Sequence, residues 1–278
     1  MDPLISPAQI RTFTGDVRLL DARRSSAYSE NHLPGALLAD LERHLSTASV
    51  PSHDPARGGR HPLPSPETWA RQLGAWGIHP GVTVVAYDDA GGGNAAARLW
   101  WMLRAAGHTA SAVLDGGLQA ALAEGFVLTR DVTRVEPLQP YPSPAWALPT
   151  IDIEGATCWP EDGGRKLLDV RSAERYRGIT EPLDPVAGHI PGALNLPYFE
   201  NLGPDGRLKA PALLRAMYLD LLGGTPPEGL AVHCGSGVTA CHTLLALEVG
   251  GLSGASLYVG SWSEWCRSGR EISTGERP

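Results

Sequence analysis

The 278-residue chain contains no long apolar run and no excess of basic charge. No stretch approaches the ~18 apolar residues that a membrane-spanning helix needs, so a membrane role is not expected. Lys and Arg number 23 against 30 Asp and Glu, a formal net charge of −7. That balance argues against a broad basic face for nucleic acid and leaves room only for a local basic pocket that holds a small anion. The opening Met-Asp-Pro-Leu-Ile-Ser-Pro lacks the positive segment and apolar segment of a secretory leader, so a cytoplasmic location is expected. Cysteine is scarce: Cys158, Cys234, Cys241 and Cys266, with no Cys-x-x-Cys pair. Their spacing fits no zinc template. Two disulfides would suit a secreted chain; free thiols in a reducing compartment are the expectation here.

What the chain does have is a repeat. Leu-Leu-Asp-Ala-Arg at 19–23 returns as Leu-Leu-Asp-Val-Arg at 167–171, with Tyr28 and Tyr176 following at the same spacing. Asn-His-Leu-Pro-Gly-Ala-Leu at 31–37 returns as Gly-His-Ile-Pro-Gly-Ala-Leu at 188–194, and the second copy carries nine extra residues around Ile179 to Ala187. Val-Val-Ala-Tyr-Asp-Asp at 84–89 answers Leu-Ala-Val-His-Cys-Gly at 230–235, and Val-Leu-Asp-Gly-Gly-Leu at 113–118 answers Leu-Tyr-Val-Gly-Ser-Trp at 257–262. Two homologous domains follow, residues 1–135 and 150–278. Between them, residues 136–149 hold five prolines (137, 140, 142, 144 and 149) and read as an extended linker. Short β-branched runs alternate with helical patterns in each copy, which predicts two α/β domains with mostly parallel sheets flanked by helices.

The chemistry concentrates in His-Cys-Gly-Ser-Gly-Val-Thr-Ala-Cys-His at 233–242. An apolar run precedes it and an amphipathic run follows, the pattern of a strand, a tight loop and a helix. Cys234 stands at the strand's carboxyl end over a helix N-terminus, a setting that favours thiolate over thiol. Gly235 and Gly237 let the backbone curl inwards. Backbone N–H groups from Gly235, Ser236, Gly237, Val238 and Thr239, with the Ser236 and Thr239 hydroxyls, can then surround an anion. The alternative reading is a small buried cysteine at a strand end. In the first copy Asp88 stands opposite Cys234, so that copy keeps the scaffold without the nucleophile, and one active site per chain is expected.

These motifs, in both halves, resemble the two-domain sulfurtransferases of the rhodanese superfamily. Cys-Gly-Ser-Gly-Val-Thr at 234–239 is similar to the loop of the 3-mercaptopyruvate sulfurtransferases, whereas mitochondrial-type thiosulfate sulfurtransferases carry Cys-Arg-Lys-Gly-Val-Thr. The resemblance implies sulfur transfer through a Cys234 persulfide, from 3-mercaptopyruvate or alternatively thiosulfate, to cyanide or a thiol. It implies no metal and no organic cofactor, and a thioredoxin-like reductant is a candidate partner. It implies a donor-binding arginine at Arg175. The family's second arginine follows a Glu-Pro; here Glu181-Pro182 leads into Leu183 and Asp184, so Arg177 is the candidate to compensate. A Ser-His-acid relay would comprise Ser236, His61 and Glu42, with Asp40 nearby. Arg171 beside Asp169 reads as structural, as do His32 and His189, which occur in both copies. His233 and His242 flank the loop without an evident catalytic place. Trp262 and Trp265 wall the pocket or pack beneath it.

Other classes fit less well. Phosphatases with a His-Cys-x5-Arg loop need an arginine where this chain has Ala240. A non-catalytic rhodanese-like binding module would lack the nucleophile in both halves. The glycines at 91–93 lack the Gly-Lys-Ser/Thr ending of a P-loop, and Asp88-Asp89 is more ordinary as a solvated pair than as a metal site.

Overall fold

The computed structural model describes residues 1–142, 145–159 and 164–276; Pro144 of the proline-rich stretch lies outside them. Two compact units emerge. One comprises Met1–Thr47, Leu63–Ala147 and Gly203–Leu208, the other Ala48–Pro62, Leu148–Leu202 and Lys209–Pro278. The proline-rich segment forms no helix or strand among its described residues and runs along the first unit. Leu138 N–H donates to the Gly74 carbonyl at 2.8 Å and Tyr141 N–H to that of Ala70 at 2.9 Å.

The first unit's sheet contains β1 (Leu4–Ile5), β2 (Val17–Asp21), β3 (Ala36–Leu38), β4 (Thr83–Tyr87) and β5 (Ser111–Leu114), in the order β1-β5-β4-β2-β3. The second contains β6 (Thr150–Ile151), β7 (Lys166–Asp169), β8 (Leu194–Asn195), β9 (Leu230–His233) and β10 (Ser256–Tyr258), in the order β6-β10-β9-β7-β8. Every pairing is parallel. The second order is the first repeated strand for strand, so the repeat in the sequence is a repeat of topology.

The middle strands β4 and β9 read as nearly unbroken apolar runs because parallel strands are covered on both faces; every residue of β9 is buried. The helices that follow them, Ala96–Ala105 and Ala240–Val249, are buried almost all round, as expected of helices inside the layers rather than upon them. The cores sit against these sheets: Val85, Tyr87, Leu114 and Leu118 in the first unit, Leu167, Ala231, Tyr258 and Trp262 in the second. Trp262 and Trp265 both belong to this second core.

The Asp-x-Arg motifs close identical forks at the ends of β2 and β7. Arg23 Nε and Nη2 donate to Asp21 at 3.0 and 2.7 Å, and Arg171 Nε donates to Asp169 at 3.0 Å. Arg171 also donates to the Gly188 carbonyl at 2.7 Å, which anchors the His-Ile-Pro-Gly turn. His189 stacks on Tyr176 with ring centroids 3.7 Å apart, and His32 on Tyr28 at 4.0 Å. Among the described residues, no helix is long and apolar enough to cross a membrane.

Candidate active site

All the residues that follow, Glu42 and the Asp88 loop excepted, belong to the second unit. Cys234 lies one residue beyond β9 and is buried. Its carbonyl accepts the Trp262 N–H at 3.0 Å, and the Gly235 carbonyl accepts the Ser263 N–H at 2.9 Å. Those two donors open the helix Ser261–Trp265 and would otherwise lack intrahelical partners. Gly237 is left-handed at φ 73°, and a Cβ there would stand 2.5 Å from the Val259 carbonyl oxygen, so only glycine fits. The N–H groups of Gly235, Ser236, Val238 and Thr239 meet no acceptor among the described residues. Thr239, the N-cap of Ala240–Val249, makes no side-chain capping bond. The loop is therefore a ring of donors beyond the carboxyl end of β9, where Cys234 stands.

The first unit shows what such a ring accepts. The buried Asp88 carboxylate takes N–H bonds from Ala90 (2.9 Å), Gly92 (2.8 Å), Asn94 (3.0 Å) and Ala96 (3.2 Å). Burial pushes its proton affinity up, and the four donors oppose that. The same loop fold thus holds a carboxylate in one unit and presents a cysteine in the other.

Segment 58–61, far from the cysteine in sequence, completes the second-unit site. Gly58 N–H donates to Glu264 at 2.7 Å and Arg60 N–H to Ser263 Oγ at 2.9 Å. Gly59, at φ 78°, has no room for a Cβ beside Ser263 Oγ, 2.8 Å from where it would stand. Docked in this way, the segment brings His61 Nδ1 to 2.8 Å from Ser236 Oγ. His61 and Ser236 therefore lie within hydrogen-bond reach of each other. Glu42 is exposed in the first unit, where its N–H donates to Asp40 Oδ1 at 3.0 Å.

The arginines divide differently from expectation. Arg175 reaches the loop: its Nη2 lies 3.3 Å from the point where a Gly235 Cβ would stand. Glu181 holds it, accepting from Nη2 at 2.7 Å and from Nε at 3.1 Å. Arg177 does not reach it. Its guanidinium pairs with Glu276 at 3.2 Å and lines a groove with Lys166, Leu194 and Met217, none of them loop residues. The reason is local: Arg175 and Arg177 are two positions apart at the end of the helix Ala173–Tyr176, and such positions face opposite sides. The second guanidinium comes from Arg60, whose Nη2 also lies 3.3 Å from the Gly235 Cβ point. Asp184, the residue that follows Glu181-Pro182-Leu183, is buried and pairs with Arg60, with Arg267 at 2.8 Å and with Arg175 at 3.9 Å. No sequence signal marked Arg60 beyond its position next to His61.

Behind the loop the charges are linked. Arg171 bridges Asp169 and Glu181, the latter at 3.2 Å, and lies over the Trp262 ring at 4.5 Å. Burial works against its charge, and the neighbouring Asp169, Glu181 and Cys234 more than restore it. His233 is fully buried, with Nδ1 facing the Cys234 carbonyl at 3.3 Å and Nε2 3.9 Å from Asp169. Burial holds it below the ordinary histidine range, against the pull of Asp169. Among the described residues, no disulfide joins Cys158, Cys234, Cys241 and Cys266.

Known proteins resemble this chain in sequence and in fold. A probable 3-mercaptopyruvate sulfurtransferase of Pseudomonas aeruginosa is 44% identical over 256 residues, covering 90% of this chain and 86% of that one. A putative thiosulfate sulfurtransferase SseB of Mycobacterium tuberculosis is 41% identical, over 89% and 84%. Among solved structures, the 3-mercaptopyruvate sulfurtransferase from Leishmania major aligns with a TM-score of 0.80 at 28% identity, covering 94% of this chain and 73% of that one. The family model described as Rhodanese-like domain matches residues 8–124 and again 159–268. With two copies of its domain, the chain belongs to the rhodanese family.

Proposed function

We propose that this protein is a sulfurtransferase whose donor is 3-mercaptopyruvate and whose sulfur carrier is Cys234. The observation that carries the choice of donor is the 2.8 Å approach of His61 Nδ1 to Ser236 Oγ beside the cysteine. The Cys234 thiolate attacks the donor's sulfur, the S–S bond forms, and the donor's C–S bond breaks with its electron pair passing to the pyruvyl fragment. That fragment leaves as an enolate and needs a proton at carbon, which Ser236 and His61 are placed to supply. The products are pyruvate and a Cys234 persulfide. Cyanide or a thiol then attacks the outer sulfur, and the Cys234 thiolate leaves. The loop N–H groups stabilise the anion at each stage.

Arg175 and Arg60 flank Gly235, and two guanidiniums so placed suit the donor's carboxylate. Thiosulfate is the second reading, favoured by the same pair of cations, since its sulfonate end would also bind there. Cysteines without disulfides suit a reducing compartment, in keeping with a cytoplasmic enzyme that passes its sulfur to a thioredoxin-like dithiol. Steady-state kinetics with cyanide as acceptor test the donor: kcat/KM is expected to be higher for 3-mercaptopyruvate than for thiosulfate, and the reverse order would reject the assignment. Cys234→Ser should abolish transfer from both donors, and mass spectrometry of donor-treated wild-type enzyme should show one added sulfur, on Cys234.

A further inference from the structure

In both units the last strand turns into a short helix, and the first residue of that helix is left-handed: Gly117 at φ 58° and Ser261 at φ 54°. The two stand at the same place in the repeat, in Asp115-Gly116-Gly117-Leu118 and Val259-Gly260-Ser261-Trp262. Glycine takes this conformation without steric cost, whereas a serine Cβ crowds the backbone there. Among the described residues, Ser261 is the only non-glycine with a positive φ.

The turn itself does not need the serine. Leu118 N–H donates to the Asp88 carbonyl at 2.8 Å, just as Trp262 N–H donates to the Cys234 carbonyl at 3.0 Å. What the second unit adds is the hydroxyl. Fully buried, Ser261 Oγ donates to the Tyr258 carbonyl at 2.9 Å and accepts the N–H of Cys234 at 3.2 Å. The unit that carries the nucleophile thus keeps a strained residue whose side chain grips the nucleophile's own backbone. The unit without it uses the relaxed glycine. Strain retained at such a point is a mark of function.

We propose that Ser261 is a positioning residue for Cys234. Its hydroxyl fixes the backbone of the cysteine so that Sγ, as thiolate and then as persulfide, stays aimed into the ring of N–H donors from Gly235 to Thr239. This rests on the reading of Cys234 as the sulfur carrier.

Two variants separate positioning from packing. Ser261→Gly and Ser261→Ala both delete the hydroxyl, but only glycine relieves the backbone. Three quantities are measured: thermal stability, single-turnover persulfide formation from 3-mercaptopyruvate, and the pH profile of Cys234 alkylation by iodoacetamide, followed on the Cys234 peptide by mass spectrometry. Both variants are expected to lose up to about tenfold in persulfide formation, the weight of one hydrogen bond. Both should also shift the alkylation midpoint to higher pH. Their stabilities should part, with the glycine variant melting at or above wild type and the alanine variant below it. A glycine variant with wild-type rate and wild-type alkylation profile would overturn the proposal, because the serine would then only fill space. Failure of the underlying reading is distinguishable: wild-type enzyme would then carry no persulfide on Cys234.

Discussion

At the scale of single residues, the pocket proposed for the donor depends on how Arg60, Arg175 and Arg267 meet Glu181 and Asp184. Arg175 is held by Glu181, and Asp184 gathers Arg60 and Arg267 with Arg175 close by. A buried carboxylate with several cationic partners survives the loss of one, so Arg60 can be removed without leaving Asp184 as an uncompensated charge. Arg60→Ala is therefore expected to fold. It should raise KM for 3-mercaptopyruvate about tenfold or more, the loss of one charge-assisted hydrogen bond of roughly 1.5–3 kcal/mol. Arg177→Ala should leave KM within about twofold, because an exposed pair such as Arg177–Glu276 contributes little. Initial-rate measurements over donor concentration decide between the two arginines. Equal effects, or a larger effect at Arg177, would mean that the carboxylate binds elsewhere.

At the scale of elements, the loop between a buried strand and a buried helix recurs with two fillings, Asp88 and Cys234. Asp88 is acceptor-only when ionised, and it meets four N–H donors. Asp88→Asn turns one acceptor oxygen into an NH2 group facing donors, which should destabilise the fold by about 2 kcal/mol while leaving kcat unchanged, since the side chain is buried. Denaturant midpoints and kcat read the two effects separately. The local devices of this fold were legible because they repeat: Asp21–Arg23 and Asp169–Arg171 close forks over two residues, and the cysteine loop carries its glycines and serine in one short stretch. The family pattern points to His61, and its contact with Ser236 follows from Gly58 and Gly59 allowing the close docking of 58–61. Arg60 was not legible. Its partners, Asp184 and Gly235, lie more than a hundred residues away, and no periodicity encodes such a meeting. Arg177 misled because charge near the motif says nothing about which way a helix end faces.

At the scale of the whole molecule, duplication has left two sheets of one topology, each built around buried polar groups whose protonation must stay fixed. Burial is the largest cause that holds three histidines below the ordinary range: His44 and His108 in the first unit and His233 in the second. A histidine with a depressed folded pKa binds its proton better in the unfolded chain. The stability it contributes is thus complete above the unfolded value of 6.5 and is lost as pH falls below it. At pH 5.5, one unit below that value, each histidine costs at most about 1.4 kcal/mol, or roughly 4 kcal/mol for the three. Asp169, held below the usual carboxylate range although burial opposes this, adds a slope of the same sign only below pH 3.8. Asp88 and Asp115, raised chiefly by burial, add the opposite sign above that value. The melting temperature should therefore fall between pH 7.5 and pH 5.5, and His233→Gln should flatten part of that fall. The slope should reside in both units, because both hold such histidines. A melting temperature that stays level or rises over this window would mean that the histidines are not kept neutral, and that the carboxylates govern the pH dependence instead.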